Sequence, residues 1–438
     1  MTANYHAIRQ LNNNAQFGKG DVLVLFGELF NRGYANGLVE EAERRGMTII
    51  RTTVGRRDGD GALRALTTEE IASIPKPFIN IPLEAGFDME PDDQGISPVE
   101  HLKDLKLSNW DSANISQASI DSSREKGRVR FLKNLRAYLK ELEAHLPSGK
   151  NVLFAHLMAG GVPRAKIIMP MMNRTLKGSG DRFMSSKTFW ESSLGRLCEQ
   201  NFFEVSADTF SNLVEESSPL REKLEKNGSR VSYVAYGYHG TEILIGSQYR
   251  WQSYSPYLQG SAKIRLENYS REFSSQGLKT CVYNCPEILT NSSAIFSGVE
   301  ISLYPLLEAL RQESSRSKTP SNPCAQIVDR CLALLKPEHN LNEMIKFIND
   351  YMNSEIIQSH CLFDQWPQHN SKDQLEKMLA ASDYLLGMHK DPKQVITAIL
   401  SEVVFEVCGK VMLADSPRPE APVSWISHDV ITKIMARG

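Results

Sequence analysis

The chain has 438 residues, enough to bury a full core as one large domain or two to three ordinary ones. Its 50 basic and 52 acidic side chains nearly cancel, which excludes a broad electrostatic footprint for nucleic acid and points to a small molecule or another protein as partner. Seven cysteines, odd in number and without metal-ligand spacing, argue against a closed disulfide framework or a metal site and for a reducing compartment.

Met1 to Gly20 is polar, and no later stretch offers about 18 consecutive apolar residues, so a soluble, unprocessed, cytoplasmic protein without a membrane span is expected. Val22 to Phe26 then form a continuous apolar run between Gly20 and Gly27, followed by a helical pattern up to Gly46. A strand buried on both faces enters a βαβ unit in this way. Gly27, Gly33, Ala35 and Gly37 stand where small residues let a backbone approach a pyrophosphate at a helix N-terminus, although they do not spell G-x-G-x-x-G. An ordinary strand-turn-helix without ligand is the competing reading.

Met47 to Thr53 reads as the second strand. Arg51, Arg56 and Arg57 lie where an arginine accommodates a 2′-phosphate, which favours NADPH, with NADH possible; a solvated basic turn is the alternative. Pro77 to Ile81 is a third short strand whose Asn80 and Ile81 would flank an adenine. Asp88 to Asn114 is a polar excursion, and Leu132, Leu135, Leu139 and Leu142 recur at helical spacing up to Pro147. Asn151 to His156 is the fourth strand, and His156, Leu157 and Met158 leave its carboxyl end, where a cofactor would lie. Asn173 to Arg182 reads as a basic loop.

Ser206 or Asp208 is expected to cap a helix through Leu224, and Ser229 to Tyr236 is the fifth strand. Gly237 to Trp251 is glycine-containing and aromatic. A helix capped by Ser255, with Pro256 in its first turn, is expected to run to about Ser274. Leu278 to Tyr283 is the sixth strand, from whose carboxyl end Ile288, Leu289 and Thr290 follow as further cofactor candidates. The alternation implies an α/β fold with a doubly wound parallel sheet, occupying residues 1–310. Ser314 to Pro323 reads as a linker, and residues 311–405 as a mainly helical insertion or lid. Val407 to Asp415 reads as a last strand within a closing segment 406–438.

With these elements in order, the chain from Asp21 to about Leu310 resembles the short-chain dehydrogenase/reductase superfamily, and within it the larger trans-2-enoyl reductases. Those enzymes separate a catalytic tyrosine from its lysine by eight residues, the spacing of Tyr254 and Lys263. Tyr236 is similar in position to their second tyrosine, Ser292 to Ile295 to their nicotinamide loop, and Gly33-Tyr34-Ala35 to their turn over the phosphates. The first glycine turn is longer and more polar than the family's, and Gln259 stands four residues before Lys263, where the superfamily at large has its tyrosine. Tyr257 is held in reserve.

The resemblance implies hydride transfer from NADPH or NADH to the β-carbon of a 2-enoyl thioester, free or on acyl carrier protein, in fatty acid or related acyl metabolism. Tyr254 would stabilise the enolate oxygen, Tyr236 would support the substrate carbonyl, and Lys263 would hold the nicotinamide ribose and assist the tyrosine. A carbonyl reductase or alcohol dehydrogenase of the same superfamily, or a non-catalytic nucleotide-binding scaffold, are the alternatives. Oligomeric state is left open.

Overall fold

The computed structural model describes residues 6–12, 16–252, 259–290, 298–316 and 322–437. Eight strands form its main sheet: β1 (Ala7–Ile8), β2 (Val22–Phe26), β3 (Thr48–Thr53), β6 (Phe78–Pro82), β7 (Val152–His156), β8 (Val231–Gly237), β11 (Thr280–Asn284) and β12 (Val423–Ile426). Short antiparallel pairs, β4 (Arg56–Arg57) with β5 (Leu63–Arg64) and β9 (Thr241–Ile245) with β10 (Gln248–Gln252), branch from the strand ends. The main order is β1-β12-β11-β8-β7-β2-β3-β6, and every pairing in it is parallel. The chain winds outward in both directions from β2, so the order reverses between β2 and β7. A crevice opens at the carboxyl ends of strands at such a switch point.

All five residues of β2 are buried, as its uninterrupted apolar run predicts. Val22, Val24 and Phe26 face one side of the sheet with Phe154 and Tyr233, whose rings stack 5.0 Å apart. Leu23 and Leu25 face the other side, in a core that runs on into the helices from Pro323 to Met412. The C-terminal helical region therefore shares the core of the sheet.

Helix α1 (Tyr34–Arg44) follows β2, and α2 (Gln117–His145), capped by Ser116, carries the expected leucine stripe, with Leu135, Leu139 and Leu142 buried. Helix α3 (Ile168–Lys177) buries Ile168, Met171, Met172 and Leu176, so Asn173 to Lys177 lie on a helix and not in the expected loop. Helix α4 (Ser193–Phe203) passes through a π-helical turn, Glu204–Asp208, into α5 (Thr209–Glu216). Neither Ser206 nor Asp208 caps a helix there: Ser206 donates its hydroxyl to the Gly160 carbonyl, and Asp208 is engaged by Arg124, Arg265 and Tyr269. Helix α6 (Gly260–Ser275) ends where its pattern predicts.

Val407 to Asp415 forms no strand: it is the end of α7 (Ile396–Asp415), a 20-residue helix. A short apolar run rich in valine cannot by itself separate a buried helix from a strand. The closing strand is β12, which reaches the sheet after Pro422 and pairs with both β11 and the N-terminal β1, before the last helix α8 (His428–Arg437). Helix α1 lies against α7 where Gly37 faces Gly409. Among the described residues no helix is long and apolar enough to cross a membrane.

Candidate active site

The crevice begins at Gly27, whose φ of +122° suits glycine, and whose amide donates to Thr52 Oγ1 at 3.1 Å. A Cβ at Gly27 would stand 3.0–3.1 Å from Leu157 and the Met158 nitrogen, so the exit of β2 lies directly on the exit of β7. Beyond the turn, α1 starts with Gly33 at its N-cap, no side-chain cap and no acidic residue in its first turn. That is a positive dipole end suited to a phosphate. Tyr34 and Ala35 form this first turn. Tyr34 donates its hydroxyl to the Pro286 carbonyl at 2.6 Å, tying α1 to the loop after β11, and its ring stacks on Tyr236 at 5.6 Å.

Lys263, in the first turns of α6, reaches the end of β8 and donates to the Tyr236 carbonyl at 3.1 Å. Burial pushes its pKa down to about 8. Ile288 is buried beyond β11, Leu289 donates its amide to Ser401 Oγ at 2.7 Å, and Thr290 is half-buried beside it. The small residues of the first turn, the uncapped helix and a buried amine at the end of β8 thus converge on one crevice. They suit the diphosphate and the sugar of a dinucleotide.

Several expected site residues are spent on structure. His156 packs between Phe26 and Phe210 with its Nε2 2.8 Å from Thr209 Oγ1, and burial lowers its pKa to about 3, so it is a neutral core imidazole. Met158 is buried in the same core, whereas Leu157 packs on the opposite face. The Asn80 amide both donates to and accepts from the Leu66 backbone, at 2.8 and 2.9 Å, which fixes a loop; Ile81 packs half-buried nearby. Gly37 serves the α1–α7 crossing and lies away from the turn. Tyr236 turns its ring to the α1 side of the sheet, where its hydroxyl is buried beside Cys285 and Cys408 with no hydrogen-bond partner among the described residues. With the ring on that face, the backbone oxygen of Tyr236 is the group that meets Lys263.

The three arginines read as 2′-phosphate ligands are each held by carboxylates. Arg51 pairs with Glu43 at 3.3 Å; Arg57 with Glu84 at 2.7 Å and Glu90 at 3.1 Å; and Arg56 makes a two-pronged bond to Glu28 at 2.7 and 2.9 Å. Tyr254, Tyr257 and Ser292 to Ile295 lie outside the described residues. Two residues that the sequence reading did not single out join the crevice wall: Tyr238, two positions past Tyr236, donates to the buried Glu287 carboxyl after β11. Burial raises the Glu287 pKa to about 8, which keeps it a neutral acid. The available signal was an acid placed immediately after Pro286 at a strand end.

A doubly wound parallel sheet with this crevice defines a protein of the dinucleotide-binding class. The family model described as enoyl-acyl carrier protein reductase FabMG matches residues 4–435. An apo structure of FabMG, described as a novel type of enoyl-acyl carrier protein reductase, is 44% identical over 99% of this chain and 98% of that one, with a TM-score of 0.94. An NADH-bound structure of FabMG is 37% identical over the same shares, 99% and 98%, with a TM-score of 0.78. An enoyl-[acyl-carrier-protein] reductase (NADH) from Aquifex aeolicus VF5 is 13% identical over 66% of this chain and 82% of that one, with a TM-score of 0.33. A search of curated proteins finds no match. The chain belongs to the FabMG family of enoyl-acyl carrier protein reductases, and it catalyses NAD(P)H-dependent reduction of a 2-enoyl thioester.

Proposed function

We propose that the enzyme uses NADH to reduce trans-2-enoyl chains carried on acyl carrier protein, in a reducing cytoplasm, with Tyr254 as the hydroxyl donor and Lys263 as its cationic neighbour. Support comes above all from Lys263: a buried amine hydrogen-bonded to a backbone carbonyl, with no carboxylate paired to it among the described residues, at the carboxyl end of β8. The pairing of Arg51, Arg56 and Arg57 with glutamates favours NADH over NADPH, and the FabMG relative solved with NADH agrees with that choice.

Gly27, Gly33, Tyr34 and Ala35 would hold the diphosphate, Lys263 the nicotinamide ribose, and Ile288, Leu289 and Thr290 the nicotinamide end. Reduced nicotinamide bound there supplies the hydride that the substrate β-carbon receives. Negative charge then develops on the thioester oxygen, where the Tyr254 hydroxyl donates, while the Lys263 charge favours that donation. Tyr257 is the reserve donor. The spacing of Tyr254 and Lys263 and the strand order also support a place beside the short-chain dehydrogenase/reductases.

Residues 311–405 act in this proposal as a cover over the acyl entrance. Phe363 stacks on His239, 4.7 Å from it and just past β8, its carbonyl lies 3.2 Å from His239 Nε2, and Asn370 accepts the Ser186 amide at 2.7 Å. The test is spectrophotometric: oxidation of NADH and of NADPH with crotonyl thioester, free and on carrier protein, for wild type, Tyr254→Phe and Lys263→Ala. Falls of at least roughly 100-fold in kcat are expected for both variants. Wild-type rates in both would remove the proposed donor and its lysine.

A further inference from the structure

Dinucleotide folds commonly select NADH through an acid at the end of the second strand, near the adenosine ribose. In this chain β3 ends in Thr53, and no acid follows until Asp58. The carboxylate over that strand end comes instead from Glu28, next to Gly27 in the first turn. Thr53 Oγ1 donates to Glu28 Oε2 at 3.1 Å and itself accepts the Gly55 amide at 3.0 Å, so the carboxylate is fixed over the exit of β3. Arg56 grips the same carboxylate from the far side with both terminal nitrogens.

We propose that Glu28 is the specificity-determining residue for the cofactor: it occupies the Arg56 guanidinium at the exit of β3 and sets a negative charge where a 2′-phosphate would come. Arg57 is closed to such a ligand by Glu84 and Glu90 and is only 11% exposed, and Arg51 is 14% exposed beside Glu43. Arg56 differs from both: it is 42% exposed, and apart from a 2.8 Å bond from Nη1 to the adjacent Gly55 carbonyl it is held by Glu28, itself 18% exposed, the one carboxylate bonded to it among the described residues. Burial alone would raise the Glu28 pKa, but the Arg56 bond and charge, with Thr53, hold it below the usual carboxylate range, so it is ionised at neutral pH. Glu70, which also acts on Arg56, is tied to Arg64 and leaves the pair intact.

This assignment rests on the NADH reading above, and the test separates the two. Dissociation constants for NADH, NADPH and the probe 2′,5′-ADP are measured by calorimetry on wild type, Glu28→Gln, Arg56→Gln and the double variant, each checked for folding by circular dichroism. In Glu28→Gln the ratio of the NADPH constant to the NADH constant is expected to fall roughly tenfold or more, with 2′,5′-ADP tightening in parallel. The double variant should lose that gain. Arg56→Gln, which leaves Glu28 charged and unpaired, should raise the ratio and so tests the idea even if Glu28→Gln fails to fold. An unchanged ratio in Glu28→Gln, or a gain that survives in the double variant, overturns the assignment. Wild type binding NADPH as tightly as NADH would instead overturn the NADH reading.

Discussion

Helices α1 and α7 cross glycine on glycine, and the crossing sets where the first turn of α1 points. A Cβ at Gly37 would stand 1.8 Å from the Phe405 carbonyl oxygen and 2.4 Å from its carbon, and one at Gly409 would meet the Gly37 carbonyl carbon at 2.1 Å. These obstacles are backbone, so no side chain can swing aside. Gly37→Ala must push the helices apart by more than about 1 Å to restore van der Waals contact. Overpacking of this kind costs about 1–3 kcal/mol, and this contact belongs at the upper end; the better helix propensity of alanine returns about 1 kcal/mol. A net loss of about 2 kcal/mol remains. Unfolding entropy of roughly 2.1 cal/mol/K per residue amounts to about 0.9 kcal/mol/K for 438 residues, so Tm should fall by about 2 °C. Because the amides of α1 move with the helix, NADH should also bind roughly tenfold more weakly, a loss of about 1.4 kcal/mol. Differential scanning calorimetry and NADH titration measure both, with Gly387→Ala as control, since nothing lies within 4 Å of a Cβ there. A Gly37→Ala protein as stable as wild type, with unchanged NADH affinity, would refute the idea that this crossing positions the cofactor turn.

The Tyr236 hydroxyl is buried with no hydrogen-bond partner among the described residues, so Tyr236→Phe should raise stability by about 1 kcal/mol in urea titration and keep most of the enoyl-reductase activity. A loss of roughly 100-fold in kcat would return Tyr236 to the substrate carbonyl. For Lys263, with a pKa of about 8 set by burial, kcat/KM should decline as pH rises through about 8, where the ammonium charge is lost. The stability effect has the opposite sign. The folded protein holds this proton less tightly than the unfolded chain, so the cost of burying the charge is complete below about pH 8 and disappears as pH approaches the ordinary lysine value of about 10.5. Lys263→Met should abolish that slope in denaturant titrations at pH 7–10.

Much of the fold is legible because its signals are local. The apolar run at Val22–Phe26 and the glycines around it give the first strand and helix directly, and β7, β8 and β11 read in the same way. β1, with two residues, and β12, with four, carry no usable periodicity, and only their pairing across the whole chain makes them strands. The direction of Tyr236 was accessible in principle. Val231, Tyr233 and Ala235 face the α2 side of the sheet, so alternation sends Tyr236 to the other face. Its place at a strand end suggested chemistry; its parity decided packing.

The cations of the crevice show why site residues are harder to read than strands. Arg51, Arg56, Arg57 and Lys263 look equivalent in a sequence, each a positive charge close to a strand end. Their partners separate them. A guanidinium gripped by a carboxylate presents little net field to an approaching anion, and each of the three arginines is so gripped. Lys263 meets a carbonyl, which accepts its hydrogen bond without cancelling its charge, in surroundings dry enough to lower its pKa. A charge that remains whole at low dielectric is the kind that stabilises an oxyanion as it forms. The partners that decide the matter are remote in sequence, 28 residues for Arg56 and Glu28 and 27 for both Arg57 with Glu84 and Lys263 with Tyr236, so only the folded chain distinguishes a spent cation from a working one.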